Sequence, residues 1–270
     1  MGKSFSYSAP GLKLNFVYDE VVPKNLDLRH THDTYEAIFI SSGRGRFIVE
    51  DIEIEIKPKT LLLIKPYEYH SVILEDGTPY ERQVINFSAS ALVEDTAKLL
   101  NTVLFGSDGV RFYSARTVPE SVISVLDRIE ASDGIPQAQR GSYIKMLLSE
   151  LILLLSVSEG ESLSKSEGEL GARVIRYLNE NIDRDVSLDK LARRFFVSKY
   201  YLCRAFKKHN GISVHGYVNQ KRVMYAKALI ESGETASSAA YKVGFGDYSA
   251  FYRAYVKIIG TSPTAEKNKD

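Results

Sequence analysis

The ten residues RAFKKHNGIS, Arg204–Ser213, recur 49 residues further along as RAYVKIIGTS, Arg253–Ser262, with Arg, Ala, Lys, Gly and Ser in identical places. A repeat of this kind requires one supersecondary unit built twice. Upstream the offset is 48, with Ala192 and Val197 matching Ala240 and Phe245, so the second copy carries one extra residue in its turn. That turn is Val197-Ser198 in the first copy and Phe245–Asp247 in the second, and Ser198 and Asp247 both stand where an N-cap belongs. Each copy therefore reads as a helix, a tight turn and a second helix, closed by Gly211 or Gly260. Between the copies, SVHGYVNQKRVMYAKALIES, Ser213–Ser232, spaces its apolar residues for one long helix. Twenty helical residues span about 30 Å. Two readers held at that distance would meet major grooves roughly one turn, about 34 Å, apart on one face of B-DNA.

Charge supports the same direction. The formal net charge is only +1, yet residues 169–270 hold 18 Lys and Arg against 10 Asp and Glu, while residues 1–168 hold 17 against 24. A basic C-terminal part attracts phosphate backbones through counterion release. A single cysteine, Cys203, excludes an internal disulfide framework and a cysteine metal cluster. No apolar run approaches the ~18 residues that span a bilayer. The stretch MGKSFSYSAPGLK lacks an apolar core after its charge, so the reading is a cytoplasmic protein with no membrane association.

Residues 170–266 resemble the DNA-binding domain of the AraC/XylS family of transcription regulators. The likeness is carried by SLDKLARRFFVSKYYLCRAFKKHNGIS, the connecting KRVMYAKALIES, and VGFGDYSAFYRAYVKIIGTSP. Two departures stand out: TASSAAYKV is poor in large apolar residues, and Glu266 replaces the usual basic residue after Pro263. The resemblance, together with helix geometry, points to the exposed side of each second helix as the surface that meets double-stranded DNA. Those residues are Tyr200, Cys203 and Arg204 in the first unit and Tyr248, Ser249, Tyr252 and Arg253 in the second. Arginine suits guanine, and tyrosine suits phosphate or a thymine methyl. Lys199, Lys207, Lys208 and Lys257 are expected to position the backbone. Leu191, Leu202, Phe206, Phe251 and Tyr255 are expected in the core, and intradomain ion pairs are the competing role for Arg204 and Arg253.

The acidic part changes period. From Lys13 to Phe87 the segments KLNFVYD, YEAIFIS, RGRFIVED, IEIEIK, TLLLIK, HSVILE and ERQVINF alternate every second residue, which reads as seven short strands of a sandwich or barrel. Helices follow at 91–103, 119–131 and 137–157, the last with Tyr143, Met146, Leu147, Glu150, Leu151 and Leu154 as an apolar stripe that serves sheet packing, a dimer seam, or both. SEGESLSKSEGE, Ser158–Glu169, is polar and rich in Gly and Ser, and reads as a linker.

Even spacing puts His30, His32 and Glu36 on one face of an extended chain, and His70 lies in KPYEYHS, which would pair nearby. Three imidazoles and a carboxylate could hold a divalent transition metal, line a pocket for an organic effector, or be purely structural. The pattern HTHDTYEAIFISSG resembles the first motif of the cupin superfamily, while PYEYH gives only half of the second. Arg44 and Arg46, following the turn, could anchor an anionic or hydroxylated effector or equally be surface charges.

The expected architecture is an α+β two-domain protein: residues 1–157 a cupin-like β-barrel sensor with dimerisation helices, 158–169 a linker, and 170–270 an all-α domain with two helix-turn-helix units. The expected function is regulation of transcription in response to a small molecule, a sugar or related metabolite, by a homodimer that engages RNA polymerase if it activates. A metal-dependent cupin enzyme or metal sensor joined to a DNA-binding domain is the alternative. Catalytic residues are not expected.

Overall fold

Alternation every second residue gives each strand two faces, of which one or both are buried. The computed structural model describes residues 5–19, 29–75, 77, 79–102, 109–163 and 169–264. Residues 1–4, 164–168 and 265–270 lie outside that description, and with them part of the expected linker and Glu266. The chain divides into two compact units, Met1–Lys165 and Ser166–Asp270.

In the first unit the strands are β1 (Phe5–Ala9), β2 (Leu12–Asp19), β3 (Tyr35–Ser42), β4 (Gly45–Val49), β5 (Ile52–Ile56), β6 (Thr60–Ile64), β7 (His70–Leu74), β8 (Tyr80–Phe87) and β9 (Val110–Tyr113). The seven expected strands are present, and β1 and β9 are added at the two edges of the larger sheet. That sheet runs β1-β2-β8-β3-β6-β9 and the smaller one β5-β4-β7, with every pair antiparallel. The two sheets face each other over Ile38, Ile40, Phe47, Ile54, Leu62 and Val72. The barrel-like outline is open: among the described residues no strand of one sheet pairs with a strand of the other, and His30, which precedes β3, forms an isolated bridge to His70 of β7 in which each backbone N–H donates to the other's carbonyl at 2.9–3.0 Å.

The other face of the larger sheet is covered by helices. Tyr35, Ala37, Phe39, Leu61, Leu63, Ile85 and Phe87 pack with buried residues of α1 (Glu94–Thr102), α2 (Glu120–Glu130) and α3 (Gln137–Ser156). Odd and even residues of β3 thus serve different cores, and Glu36 falls on the face between the sheets. Helix α3 buries Ile144, Leu147, Leu148, Leu151, Ile152 and Leu155 while leaving Met146 and Leu153 exposed, as is Val157 just past its end. Beyond it, Glu161 N–H donates to the Phe112 carbonyl and Leu163 packs on the inter-sheet core, so residues 158–163 run along β9.

The second unit contains α4 (Leu170–Glu180), α5 (Leu188–Arg194), α6 (Lys199–Asn210), α7 (Val214–Glu231), α8 (Ala236–Lys242) and α9 (Tyr248–Ile259). The punctuation read from the repeat is in place. Ser198 accepts from the Tyr201 N–H, Asp247 accepts from the Ala250 N–H, and Gly211 and Gly260 end α6 and α9 in the left-handed conformation at φ 74° and 85°. Leu191, Leu202, Phe206, Phe251 and Tyr255 are all buried. In α8, small Ala239 and Ala240 are buried beneath Phe251 and Tyr255 of α9, so the weakly apolar TASSAAYKV still packs because its partner helix supplies the bulk.

The two helix-turn-helix halves are tied together at one point. Arg222 of α7 donates from Nε to the Ile182 carbonyl at 2.8 Å and from Nη2 to the Arg184 carbonyl at 2.6 Å, both in the loop before α5. Its guanidinium also lies 5.8 Å from the centroid of the Phe245 ring, in the second turn. Gly244 closes the same junction: a Cβ there would sit 2.5 Å from the Asp183 carbonyl oxygen.

Candidate functional site

Between the two sheets of the first unit lies a cavity of about 470 Å³, inside the roughly 300–1,000 Å³ typical of small-molecule sites. His30, His32, Glu36 and His70 all line it. His70 opens β7, Glu36 sits on the inward face of β3, and the His30–His70 bridge brings the remaining imidazoles alongside. The rings of His30 and His70 are 4.4 Å apart by centroid and those of His32 and His70 are 5.1 Å apart. One ligand nitrogen from each histidine falls within 4.8 Å of the other two.

The hydrogen bonds orient these rings. His32 Nδ1 lies 2.9 Å from the Thr34 carbonyl and His70 Nδ1 lies 2.9 Å from the Glu68 carbonyl. A carbonyl only accepts, so Nδ1 carries the proton in both rings, and Nε2 is the atom turned inward. Both Nε2 atoms approach Glu36 Oε2, at 3.3 Å from His32 and 3.1 Å from His70. Asn86 Nδ2 donates to the other carboxylate oxygen, Oε1, at 3.0 Å. With neutral rings, two nitrogen lone pairs would face an oxygen lone pair. That arrangement is stable only with protons on Nε2 or with a cation among the three atoms.

Electrostatics follow from this contact. Burial alone would lower the His32 pKa, but the hydrogen bond and charge of Glu36 outweigh it and hold the ring above the ordinary imidazole value. Burial alone would raise Glu36, and the hydrogen bonds from His32 and His70 outweigh it and hold the carboxyl well below the usual range.

Arg46, expected among the effector contacts, is corrected by the fold. It is exposed on β4, pairs with Glu53 at 3.1 Å, and leaves Phe47 to face the cavity, because adjacent strand residues point to opposite faces. Arg44 is exposed too. The guanidinium that does line the cavity is Arg82, on β8 with Tyr80, Val84 and Asn86. The alternation of YERQVINF carried that signal, since all four are even-numbered residues of one strand.

In the second unit, α6 and α9 present the expected readers. Tyr200 is 76% exposed and Tyr252 42% exposed; Ser249, Arg204, Lys207, Lys208, Arg253 and Lys257 are exposed as well. Cys203 is half-buried, and Tyr248 is half-buried against Phe251 and Tyr252. Lys199 is held by Asp189 of α5 at 2.7 Å. Among the described residues no ion pair engages Arg204 or Arg253. Arg253 and Lys257 line a cleft with His215, Asn219 and Arg222 of α7, a wall that sequence spacing did not point out.

Comparison with known proteins agrees with both halves. Residues 28–175 match the AraC-like ligand binding domain and residues 191–269 match a helix-turn-helix domain. The uncharacterized HTH-type transcriptional regulator YbfI of Bacillus subtilis is 30% identical over 82% of this chain and 79% of its own length. The HTH-type transcriptional activator RhaS of Mannheimia succiniciproducens is 24% identical over 89% of each chain. Among solved structures, apo ToxT from Vibrio cholerae aligns over 95% of this chain and 96% of its own, at 15% identity and a TM-score of 0.45.

Proposed function

Because the chain belongs to the AraC family of helix-turn-helix transcription regulators, with an AraC-like ligand-binding domain ahead of its DNA-binding domain, we propose that it controls transcription by sensing a small hydroxylated metabolite in the inter-sheet cavity. The observation that carries this reading is the cavity itself: a set of polar groups, His30, His32, Glu36, His70 and Asn86, converging in a space that Phe16, Ile38, Phe47, Val72 and Val84 also line. Hydroxyl groups can both donate to a carboxylate and accept from Asn or His, so a sugar or related polyol matches the inventory.

The DNA-binding residues act in two classes. Tyr200, Cys203, Arg204, Tyr248, Ser249, Tyr252 and Arg253 read base edges, and Lys207, Lys208 and Lys257 hold phosphates. A homodimer formed along the exposed Met146 and Leu153 of α3 and Val157 just past its end would present two such pairs of readers. Effector binding changes the spacing of those pairs and hence the half-sites that both can hold, with RNA polymerase recruited where the outcome is activation. Thermal melting of the full chain against sugars and polyols, paired with operator binding, tests this. A compound that raises the melting temperature and alters DNA affinity supports it; one that does neither across the panel counts against it.

A second reading rests on the inward Nε2 atoms. His30, His32, His70 and Glu36 form an N/O donor set suited to Zn, Fe, Mn or Ni, and the two Nδ1–carbonyl bonds are what metal-ligating histidines ordinarily have behind them. A cation there would supply a Lewis-acid contact for an effector oxygen. Metal analysis of purified protein checks it: stoichiometric metal, lost in Glu36→Gln and His70→Ala, is the expected result.

A further inference from the structure

We infer that the effector is an anion, and that Arg82 is the residue that seats its carboxylate or phosphate group; this rests on the cavity being the effector site. The argument begins with strand register. On neighbouring β3 and β8 the inward rungs are Glu36 opposite Asn86, Ile38 opposite Val84, and Ile40 opposite Arg82. Moving along the cavity, the wall is therefore polar, then apolar, then cationic. Arg82 and Asn86 are four residues apart on one strand, about 13 Å at ~3.3 Å per residue. The histidine cluster and the guanidinium are thus two separate poles of one cavity.

Charge balance distinguishes the poles. The Glu36 carboxylate is occupied by His32, His70 and Asn86. Arg82 has no such partner: its Nη1 donates to the Tyr80 hydroxyl at a long 3.4 Å, its carbon centre lies 5.2 Å from the Tyr80 ring, and its Nε is buried with no hydrogen-bond acceptor. Among the described residues no carboxylate comes within ion-pair distance of it. Elsewhere in the same unit the fold does supply one, since the buried Arg29 lies 3.9 Å from Glu50 Oε2 and donates to the Glu50 carbonyl. A buried guanidinium edge left without an acceptor is costly. Arg82 lines the cavity wall, where a ligand anion can supply the opposite charge that the fold does not.

A guanidinium offers a planar fork that fits a carboxylate or phosphate through two parallel hydrogen bonds. At the far pole the His, Glu and Asn groups match hydroxyls, or hydroxyls on a cation. The ligand class is consequently a polyhydroxylated acid: a sugar acid if the anion is carboxylate, a sugar phosphate if it is phosphate. Cation binding at the histidines would make the cavity still more positive and strengthen the same preference.

The test uses the full chain and matched probes: gluconate against glucitol, glucuronate against glucose, and glucose 6-phosphate against glucose, read by thermal melting and titration calorimetry. An acid member that stabilises the protein where its neutral counterpart does not is expected, with affinity falling at least tenfold in Arg82→Gln and unchanged in Arg46→Gln. Which acid members act separates carboxylate from phosphate. Arg82→Lys, which keeps the charge and loses the fork, is expected to bind more weakly while still preferring acid over neutral, and it serves if Arg82→Gln fails to fold. Equal binding of acid and neutral members, or acid binding that survives Arg82→Gln, would overturn the anion assignment and leave the cavity an effector site. No response to any probe would overturn the assignment and count against the effector-site reading as well.

Discussion

Phe196 and Gly244 occupy the same place in the two helix-turn-helix turns, and both adopt positive φ, 54° and 91°. The second turn meets this with glycine; the first does it with an aromatic ring that is 95% exposed. A non-glycine residue in the left-handed region costs about 1–3 kcal/mol. The first turn is therefore strained with no burial to offset it.

Phe196→Gly is expected to stabilise the protein by about 1 kcal/mol, the relief of strain being partly cancelled by the greater freedom of glycine when unfolded. Chemical denaturation at constant slope checks this. The reverse holds at the second turn, where Gly244→Ala would meet the Asp183 carbonyl and should destabilise by about 2 kcal/mol or more.

Arg222 ties the two readers through the carbonyls of Ile182 and Arg184. Hydrogen bonds from a charged donor contribute about 1.5–3 kcal/mol. Arg222→Met, which keeps much of the stem, should weaken binding to an operator with two half-sites more than to a single half-site. Footprints of the two operators measure the difference, and equal losses on both would show that the junction does not fix reader spacing.

Acidity acts on the cavity in a defined window. The His32 pKa is raised on folding, so its contribution is fully present below the unfolded value near ~6.5 and is lost as pH rises through the folded value. Glu36 is depressed, so its contribution is present above about 4.3 and is lost only as pH falls toward its folded value. Metal-free protein should accordingly gain the most from this contact between about pH 4.3 and 6.5. Melting curves at pH 5.5 and 8, about one unit inside and well outside that window, should differ more in the wild type than in Glu36→Gln.

Base readers and phosphate holders should respond differently to substitution. Arg204→Ala or Arg253→Ala is expected to cost about 1–3 kcal/mol on a matched operator and to relax the preference at one base pair. Lys207→Ala should weaken binding on all sequences alike and lower the salt dependence by about one counterion. Binding isotherms across a salt series on matched and mismatched duplexes separate the two.

Much of the fold could be read directly. The repeated helix-turn-helix units, their caps at Ser198 and Asp247 and their stops at Gly211 and Gly260 follow local rules that act within a few residues. Seven strands followed from alternation. The two that escaped, β1 and β9, are short strands of five and four residues at the two edges of the larger sheet.

The boundary between the two kinds of information shows in particular side chains. For α3, whose stripe holds both Met146 and Leu147, periodicity could not choose between them; the sheet it packs on buried the second and left the first exposed. The linear chain points to Arg46 as an effector anchor and passes over Arg82, yet the fold puts the first in solvent beside Glu53 and the second in the cavity wall. The convergence of His30 with His70 likewise needed a bridge between segments 40 residues apart. Local rules sufficed for caps, turns and the reader helices because their partners lie within a turn or two of chain. Which face of a strand or helix meets the core, and which charge is left for a ligand, depends on partners distant in sequence, and only the packed tertiary structure brings those together.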